Sequence, residues 1–153
     1  MANDARPGAD RKPLVLITGA AGNLGRSVGE RRADRYRVVG IDRQEAEGPI
    51  RIAAADLGSG ESLENAVRVL REEVGDRIAS VIHLAAYFDF SGEPNPLYQS
   101  VNVEGTRNLP AALRAAVRVE QFVYASTMLV LAPTRPGERI DETRPIDPRW
   151  QYP

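Results

Sequence analysis

Apolar residues in this chain gather into short runs separated by longer amphipathic stretches. The runs fall at residues 14–18, 38–41, 50–54, 78–84 and 122–126. Runs this short, with little polar alternation, predict strands buried on both faces of a parallel sheet. The stretches between them carry helical spacing. In residues 61–74, Leu63, Ala66, Val67, Leu70 and Val74 share one face, Glu61 suits the first turn and Gly75 stops the helix. Leu97 to about Val117 reads as a longer helix with Val101, Leu109, Leu113 and Val117 inward, which Pro110 is expected to kink or end early. Asn23 to about Asp34 predicts a weaker helix. Only Leu24, Val28 and Ala33 offer it an apolar face, and Gly29 costs about 1 kcal/mol relative to alanine. Residues 1–12 read as a disordered tail, and the chain becomes irregular beyond Ala132.

Strands alternating with helices predict an α/β fold, a doubly wound parallel sheet with helices on both faces. Such sheets bind ligands at the carboxyl ends of their strands, where the strand order switches. The expected strands end at Gly19, Asp42, Asp56, Ala85 and Thr127. These residues, scattered along the chain, would therefore converge on one crevice.

The first of these ends carries the clearest chemistry. Gly19, Gly22 and Gly25 follow the first strand at intervals of three and open the first helix. Asp42 closes the second apolar run, 23 residues after Gly19. Glycines let a backbone approach a pyrophosphate, and the next helix aims free amides and its positive dipole end at it. A carboxylate at the end of the second strand can accept hydrogen bonds from ribose hydroxyls. The bland alternatives are a glycine-rich turn with no ligand and a merely solvated Asp42. An acid at this place favours NAD by repelling a 2′-phosphate, whereas Arg43 beside it could pair with that phosphate, so NADP stays open.

Composition narrows the class without changing this picture. The 153 residues suffice for one domain with a real core. A formal charge of −1 gives no electrostatic case for nucleic acid or an anionic membrane. No apolar run approaches the roughly 20 residues of a membrane helix. The absence of cysteine excludes disulfides and thiol catalysis and fits a cytoplasmic protein. No metal site is expected. Basic residues are 19 arginines and a single lysine, Lys12.

Several motifs then appear in order: TGAAGNLG at 18–25, Asp42, Asp56-Leu57, HLAA at 83–86, Asn102 followed by GTRNL, and YAST at 124–127. Together, over residues 14–153, they resemble the extended short-chain dehydrogenase/reductase family, the NAD-dependent epimerase/dehydratase type. The resemblance implies a Rossmann-type sheet, incomplete at the C-terminus, over residues 13–153. It implies that Gly19, Gly22 and Gly25 line the pyrophosphate, with Asn23 and Leu24 at the helix start. Asp42 would bind the adenosine ribose, and Asp56 and Leu57 would flank the adenine. Leu84, Ala85 and Ala86 would pass beneath the middle of the cofactor. Thr127 matches the family's catalytic Ser/Thr, with Ser126 beside it, and Tyr152, 25 residues later, stands at the catalytic tyrosine. In that family a lysine four residues after the tyrosine helps lower the phenol's pKa. Here the sequence ends at Pro153, so the chain is expected to be the cofactor-binding portion, truncated before the substrate-binding part and inactive by itself.

Other residues keep two readings. Asp56 could instead cap the loop that follows it. His83, the only histidine, reads as structural. Tyr87, Phe88 and Phe90 read as loop packing, and Asn102 as a structural hydrogen-bonding residue near the active site. The leading function is an oxidoreductase, epimerase or dehydratase acting on a hydroxyl or carbonyl substrate such as a nucleotide sugar. The alternatives are a non-catalytic NAD(P)-binding module or inactive remnant, and a domain binding some other nucleotide. The partners expected are a small-molecule substrate and neither nucleic acid nor membrane, and a homodimer of the full-length form stays open.

Overall fold

In the computed structural model, residues 12–46 and 48–152 are described. The tail expected over residues 1–12 lies outside them, apart from Lys12. The elements in chain order are β1 (Leu14–Thr18), α1 (Asn23–Arg32), β2 (Arg37–Asp42), β3 (Arg51–Ala54) and α2 (Gly60–Val74). After these come β4 (Arg77–Ile78), β5 (Ser80–His83), a π-helical segment (Tyr98–Glu104), α3 (Gly105–Ala116), β6 (Arg118–Val119) and β7 (Phe122–Tyr124). Five strands form one parallel sheet in the order β3-β2-β1-β5-β7. The chain winds outward from β1 to β3, then crosses back to β5 on the other side. The order therefore switches between β1 and β5, and a doubly wound sheet opens its crevice there.

β1 shows why its sequence is uniformly apolar. All five residues are buried, and the first four alternate between two cores. Leu14 and Leu16 join Leu63, Val67, Leu70, Leu109 and Leu113 beneath α2 and α3. Val15 and Ile17 join Ile50 and Ile52 on the face that α1 covers. α2 uses the inward residues its spacing predicts, and Ser59 caps it by accepting a hydrogen bond from the Ser62 amide.

Four local expectations are corrected. First, of the apolar face expected of α1 only Val28 packs against the core, and it is half-buried. The helix's buried positions are Gly25 and Gly29, one turn apart, while Leu24 is 69% exposed. α1 packs through absent side chains: a Cβ on Gly29 would collide with the Ile50 side chain. Second, the apolar run at 78–84 is two strands. Residues 77–78 pair with residues 118–119 in a separate ribbon, and Ser80–His83 enter the main sheet. Third, Pro110 does not end its helix. Leu109, Ala112 and Leu113 are buried around it, and α3 continues to Ala116. Fourth, the last strand stops at Tyr124. Thr127 instead caps a 3₁₀ turn at Met128–Val130 by accepting from the Leu129 amide at 3.2 Å.

The segment after Ala132 is irregular, as its composition suggests, yet it is tied down. Leu131 and Ile146 form an isolated antiparallel bridge. The Arg144 guanidinium donates to the carbonyls of Ala132 and Pro133 and to Glu138, and it holds the Glu138 carboxyl below the usual range. At the sheet's edge, Phe122, Val123 and Tyr124 are all exposed. No helix among the described residues is long and apolar enough to cross a membrane.

Candidate functional site

The turn after β1 begins at Gly19, whose φ of +71° lies where residues with a Cβ are disfavoured. A Cβ there would also press on the Ala85 backbone at 2.9 Å, so the turn sits directly on the chain leaving β5. Gly25 matters for packing. A Cβ on it would run into the Gly19 carbonyl and would lie 2.7 Å from Ala20 Cα, so only glycine lets α1 start this close to the turn. Gly22 is the N-cap residue, and no side chain caps the helix. The first amides of α1, beginning at Asn23 and Leu24, are thus left without a side-chain acceptor, the arrangement that suits a phosphate. Asn23 and the Leu24 side chain are exposed beside them.

Asp42 is half-buried at the end of β2 and faces this turn. Its Oδ2 accepts from the Ala21 amide at 2.9 Å and its Oδ1 from the Arg43 amide at 2.7 Å. Each oxygen keeps a lone pair for a ribose hydroxyl. Arg43 is exposed next to it.

Asp56 and Leu57 part company. The Asp56 carboxylate is exposed and accepts from the Gly58 amide at 2.9 Å, so the loop-cap reading of Asp56 has its contact. The Leu57 side chain is buried in the core, where it packs against Gly105 at the start of α3. Its carbonyl accepts from the Asn108 side chain at 3.3 Å. Any contact between Leu57 and a ligand in the crevice is therefore through its backbone.

The floor of the crevice follows β5. Leu84 donates its amide to the Thr18 carbonyl, and Ala85 donates to Thr18 Oγ1 at 3.3 Å. Leu84 and Ala85 are half-buried and Ala86 is exposed. His83 is buried beneath them. Its Nδ1 lies 2.5 Å from Thr18 Oγ1 and its Nε2 lies 3.1 Å from Thr106 Oγ1. Its ring packs near Tyr124, with centroids 5.6 Å apart, and burial lowers its pKa to about 4. Next along the chain, Asn102 clamps Tyr87: its Oδ1 accepts from the Tyr87 amide at 2.7 Å and its Nδ2 donates to the Tyr87 carbonyl at 2.9 Å. Burial and the Asp89 carboxylate push the Tyr87 phenol up.

A cavity of about 200 Å³ opens at this end of the sheet. It is lined by Ala85, Ala86, Asn102, Thr106, Ser126, Thr127 and Tyr152, with Tyr124, Ala125 and Val130 completing the wall. The three hydroxyl residues singled out in the sequence, the first and last 26 positions apart, therefore meet in one place. Tyr152 is half-buried, and its ring centroid lies 4.7 Å from that of Phe88. Phe88 also packs edge-on against Phe90, while Phe88 and Phe90 both remain exposed. Thr106 is the site residue that sequence reasoning missed. Its signal was present, because it follows Gly105 in the GTRNL motif one turn after Asn102.

A larger concavity, about 1140 Å³, lies at the opposite end of the sheet between the amino ends of the strands. It is lined by Lys12, Arg37, Arg51 and Arg77 among others and holds none of the candidate residues. Its size reflects an open groove, and the smaller cavity is the one where the candidate chemistry meets. Lys12 donates there to the Ala33 carbonyl at 2.8 Å, so the chain's single lysine and Tyr152 stand at opposite ends of the sheet.

Known proteins resemble this chain in sequence and in fold. The model of the NAD dependent epimerase/dehydratase family matches residues 15–153. An Escherichia coli O157:H7 protein, N-acetyl-alpha-D-glucosaminyl-diphospho-ditrans,octacis-undecaprenol 4-epimerase, is 27% identical over 139 residues, covering 90% of this chain and 39% of that protein. UDP-glucose 4-epimerase of Thermus thermophilus, solved in complex with NAD, is 30% identical with a TM-score of 0.75, over 91% of this chain and 46% of that one. A short-chain dehydrogenase/reductase superfamily protein from Agrobacterium tumefaciens, solved with bound NAD, is 32% identical with a TM-score of 0.70, over 91% and 40%. The chain thus spans less than half the length of each of these relatives.

Proposed function

The chain belongs to the NAD dependent epimerase/dehydratase family, and from that premise we propose that it is the cofactor-holding portion of an oxidoreductase, epimerase or dehydratase acting on a hydroxyl or carbonyl substrate such as a nucleotide sugar. The observation that carries this reading is the convergence of two sites at one end of the sheet. The glycine turn with Asp42 lies beside a cavity lined by Ser126, Thr127 and Tyr152.

The residues present fit a dinucleotide. Gly19 and Gly25 let the turn close tightly onto the chain after β5 and onto α1, and Gly22 leaves the space before the helix open. The uncapped start of α1 suits the pyrophosphate, with Gly22, Asn23 and Leu24 around it, and Asp42 suits the adenosine ribose. Asp56 and the Leu57 backbone would border the adenine. Leu84, Ala85 and Ala86 would run beneath the middle of the cofactor. NAD is favoured by the Asp42 carboxylate, and Arg43 is the residue that would take a 2′-phosphate if NADP were accepted. When bound, the nicotinamide supplies a hydride donor or acceptor.

Beyond the cofactor, Thr127 and Ser126 would orient the substrate oxygen, and the Tyr152 phenol would move its proton. A phenol of pKa about 10 is a poor base at neutral pH without a neighbouring positive charge. Lys12 is at the wrong end of the sheet to provide one. That observation favours a second reading of the 153-residue chain taken alone: it binds NAD and turns nothing over.

Calorimetric titration with NAD⁺, followed by incubation of the loaded chain with UDP-glucose, tests both readings. Saturable binding without sugar conversion is the expected result. Conversion by the purified chain would remove the second reading, and a folded chain with no affinity for NAD⁺ would remove both.

A further inference from the structure

The buried His83 hydrogen bonds assign a direction to the Thr106 hydroxyl. Thr18 is fully buried. Its Oγ1 has two partners among the described residues, the Ala85 amide and His83 Nδ1. The amide can only donate, so the Thr18 hydroxyl hydrogen has one acceptor left, Nδ1. A buried, neutral imidazole that accepts at Nδ1 carries its proton on Nε2. That proton points to Thr106 Oγ1, 3.1 Å away. Thr106 therefore receives a hydrogen bond from the protein and keeps its own hydroxyl hydrogen. No second protein partner of Thr106 Oγ1 exists among the described residues, and Thr106 lines the cavity beside Ala85, Asn102 and Tyr152.

We propose that Thr106, polarised by His83, is a hydrogen-bond donor to an oxygen of the nicotinamide-side half of the bound dinucleotide. The proposal deepens the reading of the crevice as an NAD site and rests on it. It places the acceptor on the nicotinamide side because Thr106 shares its cavity with Ser126, Thr127 and Tyr152, while the glycine turn and Asp42 hold the adenosine side. The tautomer is what gives the contact its polarity. Were Nδ1 protonated, Thr106 would donate inward to Nε2 and offer the cavity only lone pairs.

Two measurements on the 153-residue chain test this. Long-range proton–nitrogen NMR of His83, the only histidine, should show a neutral ring protonated on Nε2 near pH 7. Fluorescence titration should show that Thr106→Val weakens NADH about 3- to 10-fold, the range of one net hydrogen bond. Binding of ADP, which lacks the nicotinamide half, should stay within twofold, and Thr106→Ser should restore NADH affinity. A ring protonated on Nδ1 would overturn the donor assignment. Equal losses for NADH and ADP, or no loss for either, would overturn the contact. A folded wild type that binds neither nucleotide would instead overturn the dinucleotide reading, while the ring spectrum would still decide which way Thr106 donates.

Discussion

Asp42 Oδ2 accepts a hydrogen bond from the Ala21 amide at 2.9 Å, which ties the end of β2 to the glycine turn that follows β1. One carboxylate therefore shapes the turn and borders the space where a ribose would lie. The two tasks separate by substitution. Asp42→Asn keeps an oxygen for the Ala21 amide, but loses the charge and the acceptor for the Arg43 amide. It should weaken NADH by about 1.5–3 kcal/mol, the range for hydrogen bonds to a charged group. NADPH should be affected less, because its 2′-phosphate no longer meets a carboxylate. The ratio of the two dissociation constants checks this, and an unchanged ratio would remove Asp42 from the ribose site.

Gly25 and Gly29 both face inward from α1, and their neighbours differ. A Cβ on Gly25 meets the backbone of Gly19 and Ala20, which cannot move without reshaping the turn. A Cβ on Gly29 meets the far end of the Ile50 side chain, which can rotate. Gly25→Ala should therefore destabilise the fold by about 1–3 kcal/mol and disrupt nucleotide binding. Gly29→Ala should change stability by less than about 1 kcal/mol, since gained helix propensity offsets the crowding. Urea denaturation of the two variants compares them directly. Equal effects would mean that α1 does not rest on the turn as described.

His83 makes stability depend on pH. Burial lowers its folded pKa to about 4 from an ordinary 6.5. The unfolded chain therefore binds a proton that the folded chain refuses between these values, so stability is full above about pH 6.5 and falls as pH drops toward 4. The loss from this group is on the order of 3 kcal/mol at the acid end of that window. His83→Gln, which retains one donor and one acceptor, should flatten this part of the profile. A wild type whose melting temperature stays level between about pH 6.5 and 4.5 would contradict the burial of a neutral ring.

Gly22→Val addresses the pyrophosphate. Gly22 has an ordinary φ of −75°, and its missing Cβ would meet only the Gly19 carbonyl at 3.3 Å. The fold should survive the change, while the branched side chain fills the space at the start of α1. NADH binding should be lost with the circular dichroism spectrum retained. Undiminished affinity would count against the whole cradle.

The strands and the two well-patterned helices were legible because their signal is burial of large apolar residues. β1 matched to the residue, since both of its faces meet a core. α1 was misread for the same reason: it packs through Gly25 and Gly29, and a hydrophobicity pattern has no mark for a side chain whose absence makes the contact. The division of the run at 78–84 was hidden because both pieces are apolar while their partners lie in different sheets. Pro110 looked disruptive locally, and the buried leucine contacts around it decided otherwise. In the site, glycine spacing located the turn. Thr106 sits in the GTRNL motif, but its contact with a histidine 23 positions earlier is visible only in three dimensions.

Titration of the chain with NADH and NADPH by fluorescence decides whether the crevice from Gly19 to Asp42 holds NAD. Binding should be saturable, with NADH tighter than NADPH, in a chain whose circular dichroism shows it folded. A folded chain that binds neither nucleotide, or that prefers NADPH, would contradict that assignment.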